Sequence, residues 1–146
     1  MVNALQRKVE TVEDLILAAT PSSPEIRFCV AENYLSFKGK SYIENTAQFY
    51  GPVFAWLNDY LSQVKAQAIT VDLSIVYFNS SSFKVFMNLF DLLDQAASSG
   101  QKRVTINWYY DSDDDMSQEY GEEFKEDLQY VHFQLIATDS ANDSPF

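Results

Sequence analysis

Ile69-Thr-Val-Asp-Leu-Ser-Ile-Val-Tyr-Phe78 is a ten-residue run rich in aliphatic and aromatic side chains, and it breaks off abruptly at Asn79-Ser-Ser-Ser82. It is too apolar for a solvent-facing strand and too short to cross a bilayer, so it reads as a central strand covered on both faces. The four polar residues lead into Phe83, Phe86, Met87, Phe90, Leu93 and Ala97, which recur as one face of a helix closed by Ser98-Ser-Gly100. A strand that runs through a polar turn into a long helix is half of a crossover unit, and crossovers of this kind join parallel strands.

The flanking segments extend that plan. Glu25–Val30 and Tyr34–Lys38 are short strand patterns separated by Ala31-Glu-Asn33, which reads as a hairpin. Asn45 is placed to cap a helix carrying Phe49, Val53, Trp56, Leu57, Tyr60, Leu61 and Val64. Arg103–Tyr109 alternates as a strand, Met116, Tyr120, Phe124 and Leu128 form a helical stripe at i+4, and Val131–Ile136 reads as a last strand. The predicted order is β-β-α-β-α-β-α-β, an α/β fold with a mixed sheet of about five strands and the helices packed mainly on one face. Leu5, Val9, Val12, Leu15 and Ile16 predict an amphipathic helix in the first twenty residues, stopped by Thr20-Pro-Ser-Ser-Pro24 and standing as an appendage to the domain.

Charge and composition narrow the function. Ten Lys and Arg face 21 Asp and Glu, a net charge of -11, so the surface repels nucleic acid and anionic membrane instead of collecting them. With 146 residues, 47% of them hydrophobic, the chain can build one substantial core. The single cysteine, Cys29, forms no internal disulfide, and Glu10, Glu13 and Asp14 interrupt any signal-peptide pattern, so a soluble cytoplasmic protein is expected.

Candidate chemistry is sparse. Asn79-Ser-Ser-Ser82 stands at a strand's carboxyl end and a helix's amino end, where backbone N–H groups lack partners and an anion is welcome, although capping alone is the commoner use of such residues. Asp111, Asp113, Asp115 and Glu122 match positions 1, 3, 5 and 12 of a calcium loop, but Met116 occupies the position that requires glycine and belongs to the helical stripe. The segment from Asp111 to Asp127 therefore reads as a solvated acidic helix face, with nine carboxylates against Lys125. His132 lacks a second ligand nearby, Cys29 reads as a small core residue, and Trp108, Tyr109 and Tyr110 divide between core and an exposed aromatic patch. No glycine-rich phosphate loop and no nucleophile with its base is present, so neither a catalytic residue, a metal nor a cofactor is expected.

Five segments together resemble one family. Gly39-Lys-Ser-Tyr-Ile-Glu-Asn45, Tyr77-Phe-Asn-Ser-Ser-Ser-Phe-Lys84, Phe90-Asp-Leu-Leu93, Trp108-Tyr-Tyr-Asp111 and Gly121-Glu-Glu-Phe-Lys-Glu-Asp127 are similar to those of the SiaC-type regulatory phosphoproteins, whose domain resembles the STAS domains of anti-sigma factor antagonists. The resemblance runs from about Ser23 to Ala137, with Ile43 standing where the family usually has proline. It implies a STAS-like regulatory domain over residues 23–138, an N-terminal extension over 1–22 and a flexible tail over 139–146. It further implies that Ser80 is the phosphorylated hydroxyl, that Asn79, Ser81 and Ser82 shape its surroundings, and that Tyr42, Glu44, Asn45 and Lys84 are candidate partner contacts. The partners implied are a cognate Ser/Thr kinase, a PP2C-like phosphatase and a diguanylate cyclase bound and stimulated by the unmodified form. Such a protein controls cyclic di-GMP production and biofilm formation without catalysis of its own. A STAS partner switch acting on another kinase target and an acidic metal- or ligand-binding module remain as alternatives.

Overall fold

The chain's computed structural model describes residues 12–64, 68–139 and 146. Within them a six-stranded sheet holds β1 (Leu15–Leu17), β2 (Glu25–Cys29), β3 (Tyr34–Ser41), β4 (Ala68–Phe78), β5 (Arg103–Asp111) and β6 (His132–Thr138), side by side in chain order. Strands β1, β2 and β3 pair antiparallel, and β3 to β6 run parallel. The parallel strands are joined by α1 (Thr46–Gln63), α2 (Ser80–Ala97) and α3 (Asp115–Glu126). Crossovers of one hand that always step to the next strand in the same direction bring every helix to the same face of the sheet. The one-sided packing expected from the sequence is therefore a consequence of the strand order.

The core lies between that face and the helices. Ile26, Phe28, Leu35, Phe37, Val71, Leu73, Ile106, Trp108 and Phe133 rise from the sheet, and Tyr50, Val53, Leu57, Tyr60, Phe86, Phe90, Leu93 and Phe124 descend from the helices. Its rings meet mostly edge to face, as between Trp108 and Phe124 at 5.2 Å and Phe90 and Phe133 at 5.3 Å. Gly121 lets α3 approach closely: a Cβ there would stand 2.6 Å from Trp108 Cδ1 and 2.9 Å from Leu135 Cδ2. The Trp108 indole N–H donates to the Ser117 carbonyl at 3.0 Å, fixing the same helix by a polar contact.

Three sequence expectations need correction. The carboxyl part of the expected N-terminal helix is strand β1, in which Leu15 and Leu17 pack on the core and Ile16 faces solvent. Period 2 prevails over period 3.6 here because the free edge of β2 offers backbone partners, Leu15 opposite Phe28 and Leu17 opposite Ile26. The segment is further tied by the Trp56 indole, which donates to the Glu13 carbonyl at 2.6 Å, and by Asp14, which accepts from the Val30 N–H at 2.9 Å. Residues 1–11, which held the rest of that expected helix, lie outside the described residues. The sheet consequently has six strands where about five were expected.

Strand β4 is central, but it is not apolar on both faces. Ile69, Val71, Leu73 and Ile75 point into the core, while Thr70, Asp72 and Ser74 alternate onto the face without helices. Asp72 is nonetheless buried, because the Tyr34 hydroxyl (2.6 Å) and the Asn107 amide (2.8 Å) both donate to its carboxylate. Burial and this bond hold the Tyr34 hydroxyl well above its ordinary pKa. The hairpin turn is also one residue longer than the sequence suggested: Val30–Asn33 connects Cys29 to its partner Tyr34, and Asn33 takes the positive φ of 50° that closes it. Of the tail expected to be flexible, only Asp139 and Phe146 are described, and Phe146 rests on the Tyr109 ring at 5.4 Å with its carbonyl accepting from Lys38 at 3.1 Å.

Candidate functional site

The polar run after β4 sorts its residues into separate tasks. Asn79 is the N-cap of α2, its side-chain oxygen accepting from the Ser82 N–H at 3.0 Å and from the Ser81 hydroxyl at 3.2 Å. Its own N–H donates to the Ser41 carbonyl at 3.1 Å, which ties the exit of β4 to the end of β3. The cap uses the side chain that helix starts favour, so the sequence signal and the local geometry agree.

Ser82, one turn in, is fully buried and belongs to a chain of hydroxyls. Its Oγ lies 2.7 Å from Ser41 Oγ, which lies 2.7 Å from the Tyr50 hydroxyl. This network joins β3, α1 and α2 beneath the site, and each hydroxyl finds in another the partner that burial denies it in water. Burial pushes the Tyr50 pKa up to about 12, with the Ser41 hydrogen bond working weakly the other way. The sequence pattern did not single out Ser41 or Tyr50 for this role, since a serine in a strand and a tyrosine on a helix's apolar face each look ordinary alone.

Ser80 is different from both neighbours. It is exposed at the first position of α2, and among the described residues no side chain engages its hydroxyl. The first-turn N–H groups of a helix have no intrahelical acceptors, so the hydroxyl projects from the positive end of the α2 dipole. Lys84 is exposed one turn further along the same helix.

The other candidate residues fall into two groups. Tyr42 is 40% exposed and its ring lies 5.6 Å from that of Tyr77, which brings the end of β3 against the end of β4 beside Ser80. Glu44 and Asn45 are exposed at the entrance to α1, where Asn45 accepts from the Gln48 N–H at 3.1 Å as that helix's cap. Ile43, in the position usually held by proline, is half-buried against the core and leaves the cap intact. Gly39, with φ of 133°, precedes a register shift between β3 and β4 at Gly39/Lys40: Gly39 lies opposite Ile75 and Lys40 opposite Tyr77, so Val76 is the extra residue of a bulge that re-aims the end of β4.

The acidic segment is not one continuous loop. Asp111 ends β5, Asp114 caps α3 by accepting from the Ser117 N–H at 3.0 Å, and Glu122 lies inside the helix, so the twelve positions that mimicked a calcium loop are divided between strand, turn and helix. Among the described residues no group of three His, Cys, Asp or Glu side chains is placed to hold a metal. Trp108 is fully buried, while Tyr109 and Tyr110 are half-buried. His132 is exposed at the start of β6, Cys29 is half-buried, and no described helix is long and apolar enough to cross a membrane.

Comparison with known proteins gives this arrangement a lineage. SiaC of Pseudomonas aeruginosa superposes with a TM-score of 0.77 at 34% identity, over 86% of this chain and 98% of that one. The apo-SiaC crystal structure from the same organism gives 0.76 at 34% identity over 85% and 98% of the two chains. A chain in the crystal structure of the diguanylate cyclase SiaD in complex with its activator SiaC, also from P. aeruginosa, gives 0.77 at 33% identity over 84% and 99%. An uncharacterized protein of P. aeruginosa strain UCBPP-PA14 is 34% identical over 119 residues, 82% of this chain and 93% of its own length. The family model for SiaC regulatory phosphoproteins matches residues 17–138, which span β2 to β6 and every helix described here. With that span and those identities, the chain belongs to the SiaC family of regulatory phosphoproteins.

Proposed function

We propose that the chain is a non-catalytic switch that binds and stimulates a diguanylate cyclase when unphosphorylated and releases it when Ser80 carries a phosphoryl group. It thereby sets cyclic di-GMP production and biofilm formation in the cytoplasm. A Ser/Thr kinase transfers the γ-phosphoryl group of ATP to Ser80 Oγ, and a PP2C-like phosphatase hydrolyses the ester. The observation that carries the reading is the division among three consecutive serines: Ser81 is spent on the cap, Ser82 on the buried network, and Ser80 stays exposed.

Physical chemistry supports both halves of the switch. In the isolated domain a phosphate on Ser80 is hydrated, sits at the positive end of α2 and has Lys84 within one turn, so the fold tolerates it. Docked against a packed partner surface, the same group gives up water that the partner must replace with cations. A net cost of about 3 kcal/mol weakens binding more than a hundredfold.

The test uses purified protein and the diguanylate cyclase SiaD. Ser80→Ala should bind and stimulate the cyclase as the unmodified chain does, and Ser80→Asp and Ser80→Glu should keep their fold but lose both activities. Equal binding by all three removes the switch. Phosphosite mapping on protein taken from its native cell, with phosphatases inhibited, should place phosphate on Ser80.

A further inference from the structure

Four of the six large apolar side chains that stay exposed among the described residues stand together at the carboxyl end of β4 and the amino end of α3. They are Tyr42 (40% exposed), Val76 (64%), Tyr77 (55%) and Met116 (60%). Tyr42 and Tyr77 touch ring to ring, while Val76, Tyr77, Met116 and Tyr120 line one groove of about 250 Å³. Single exposed apolar residues are ordinary on a protein surface, but clustering of this kind marks a place where another surface is expected. The groove has two unlike walls. The β4 wall is apolar and continues through Phe78 to Ser80, and the α3 wall begins with Asp114 and opens into a wider cleft of about 580 Å³ where Asp111 and Asp113 stand.

We infer that this groove is the anchoring surface for the partner, and that it takes a segment presenting one or two large apolar side chains flanked by Lys or Arg. The inference rests on the phospho-switch reading and deepens it by naming the chemistry of the docked segment. The apolar wall supplies burial, and charge complementarity selects the flanks: Asp113 and Asp114 line the α3 side with Asp111 behind them, an excess of acid over the single Lys38 of the wider cleft in a protein whose net charge is -11. The layout also explains why added negative charge on Ser80 opposes a basic partner. Ser80 continues the β4 wall, where the docked segment is apolar and offers a phosphate no cation, while the basic flanks are engaged across the groove.

The experiment measures binding of SiaD to the full chain and to Val76→Ser, Met116→Ser, Ile16→Ser and Ser80→Asp, with thermal unfolding of each variant as the control on folding. Val76→Ser and Met116→Ser, on opposite walls, should each weaken binding about tenfold, and Ile16→Ser, on the distant edge strand, should leave it unchanged. Raising NaCl from about 50 to about 500 mM should weaken wild-type binding severalfold. Wild-type affinity in both groove variants, with loss in Ser80→Asp, overturns the groove and leaves the switch standing. Loss in the groove variants with full binding by Ser80→Asp does the reverse. Binding that is indifferent to salt overturns the basic flanks, and a wild-type chain that does not bind SiaD overturns the reading on which the groove depends.

Discussion

Three adjacent serines with the same side chain have three different environments, and each environment makes its own forecast. Ser82→Ala removes one member of the buried hydroxyl chain and should cost about 1 kcal/mol in chemical unfolding, since Ser41 keeps Tyr50 as a partner. Ser80→Ala, at an exposed helix start, should change stability by less than about 0.5 kcal/mol while abolishing phosphorylation. A large stability loss in Ser80→Ala would contradict the division of tasks. Tyr50 adds a pH dependence. Its pKa is held up to about 12 against an ordinary 10.0, so above pH 10 the unfolded chain releases a proton that the folded one retains. The stabilisation is complete below pH 10 and is lost as pH rises from 10 to 12, at a cost of about 3 kcal/mol from this group. Unfolding midpoints taken from pH 9 to 12 should fall steeply in the wild type and less so in Tyr50→Phe. At this scale the sequence disclosed caps, because Asn before a helix acts on its own neighbours, but not the Ser41–Tyr50–Ser82 network, whose members are 9 and 41 positions apart.

At the scale of elements, contact with the sheet decides what each helix can present. Helix α3 lies so close to β5 and β6 that Gly121→Ala would drive a methyl group into the Trp108 and Leu135 side chains. The Trp108 indole is held by its bond to Ser117, which leaves little room to yield, so the variant should lose about 1 to 3 kcal/mol and lower the unfolding midpoint. An unchanged midpoint would mean that α3 can shift outward on the sheet. The i+4 stripe of this helix was legible in sequence, yet the two such steps from Met116 to Phe124 drift about 80° around the helix, and the drift turns Met116 outward while Phe124 stays buried. Strand β4 misled in a related way: Ile75-Val76-Tyr77-Phe78 looks like continuous core, but the bulge at Val76 breaks the alternation, so Val76 and Tyr77 both emerge beside Ser80 while Phe78 turns back onto the core. The surplus of apolar residues at a strand's end was thus a surface signal, readable only once the pairing of β4 with β3 was known. Strand β1 was hidden for another reason, since three residues hold too little pattern to outweigh a helical spacing when the pairing edge lies in β2.

For the whole molecule the dominant quantity is charge. The strand order and the one-sided helices follow from periodicity and crossover geometry, which is why the architecture was open to sequence reasoning, whereas the field depends on where the 21 carboxylates settle. Nine of them fall between Asp111 and Asp127, at one wall of the groove and along the helix behind it. A compact body with a net charge of -11 repels itself, so screening by salt should stabilise the fold, while the same screening should weaken the attraction of a basic segment to the groove. Added NaCl therefore acts with opposite signs on two measurements of one protein. Between about 50 and about 500 mM, the unfolding midpoint should rise by about 2 to 4 °C as cyclase binding falls. Reversing the charge of the wall with Asp113→Lys should lower the salt dependence of docking while leaving the shape of the apolar groove intact. If the midpoint instead drops with salt, attractive pairs outweigh repulsion among the carboxylates, and the acidic wall would be occupied by the protein's own cations before any partner arrives.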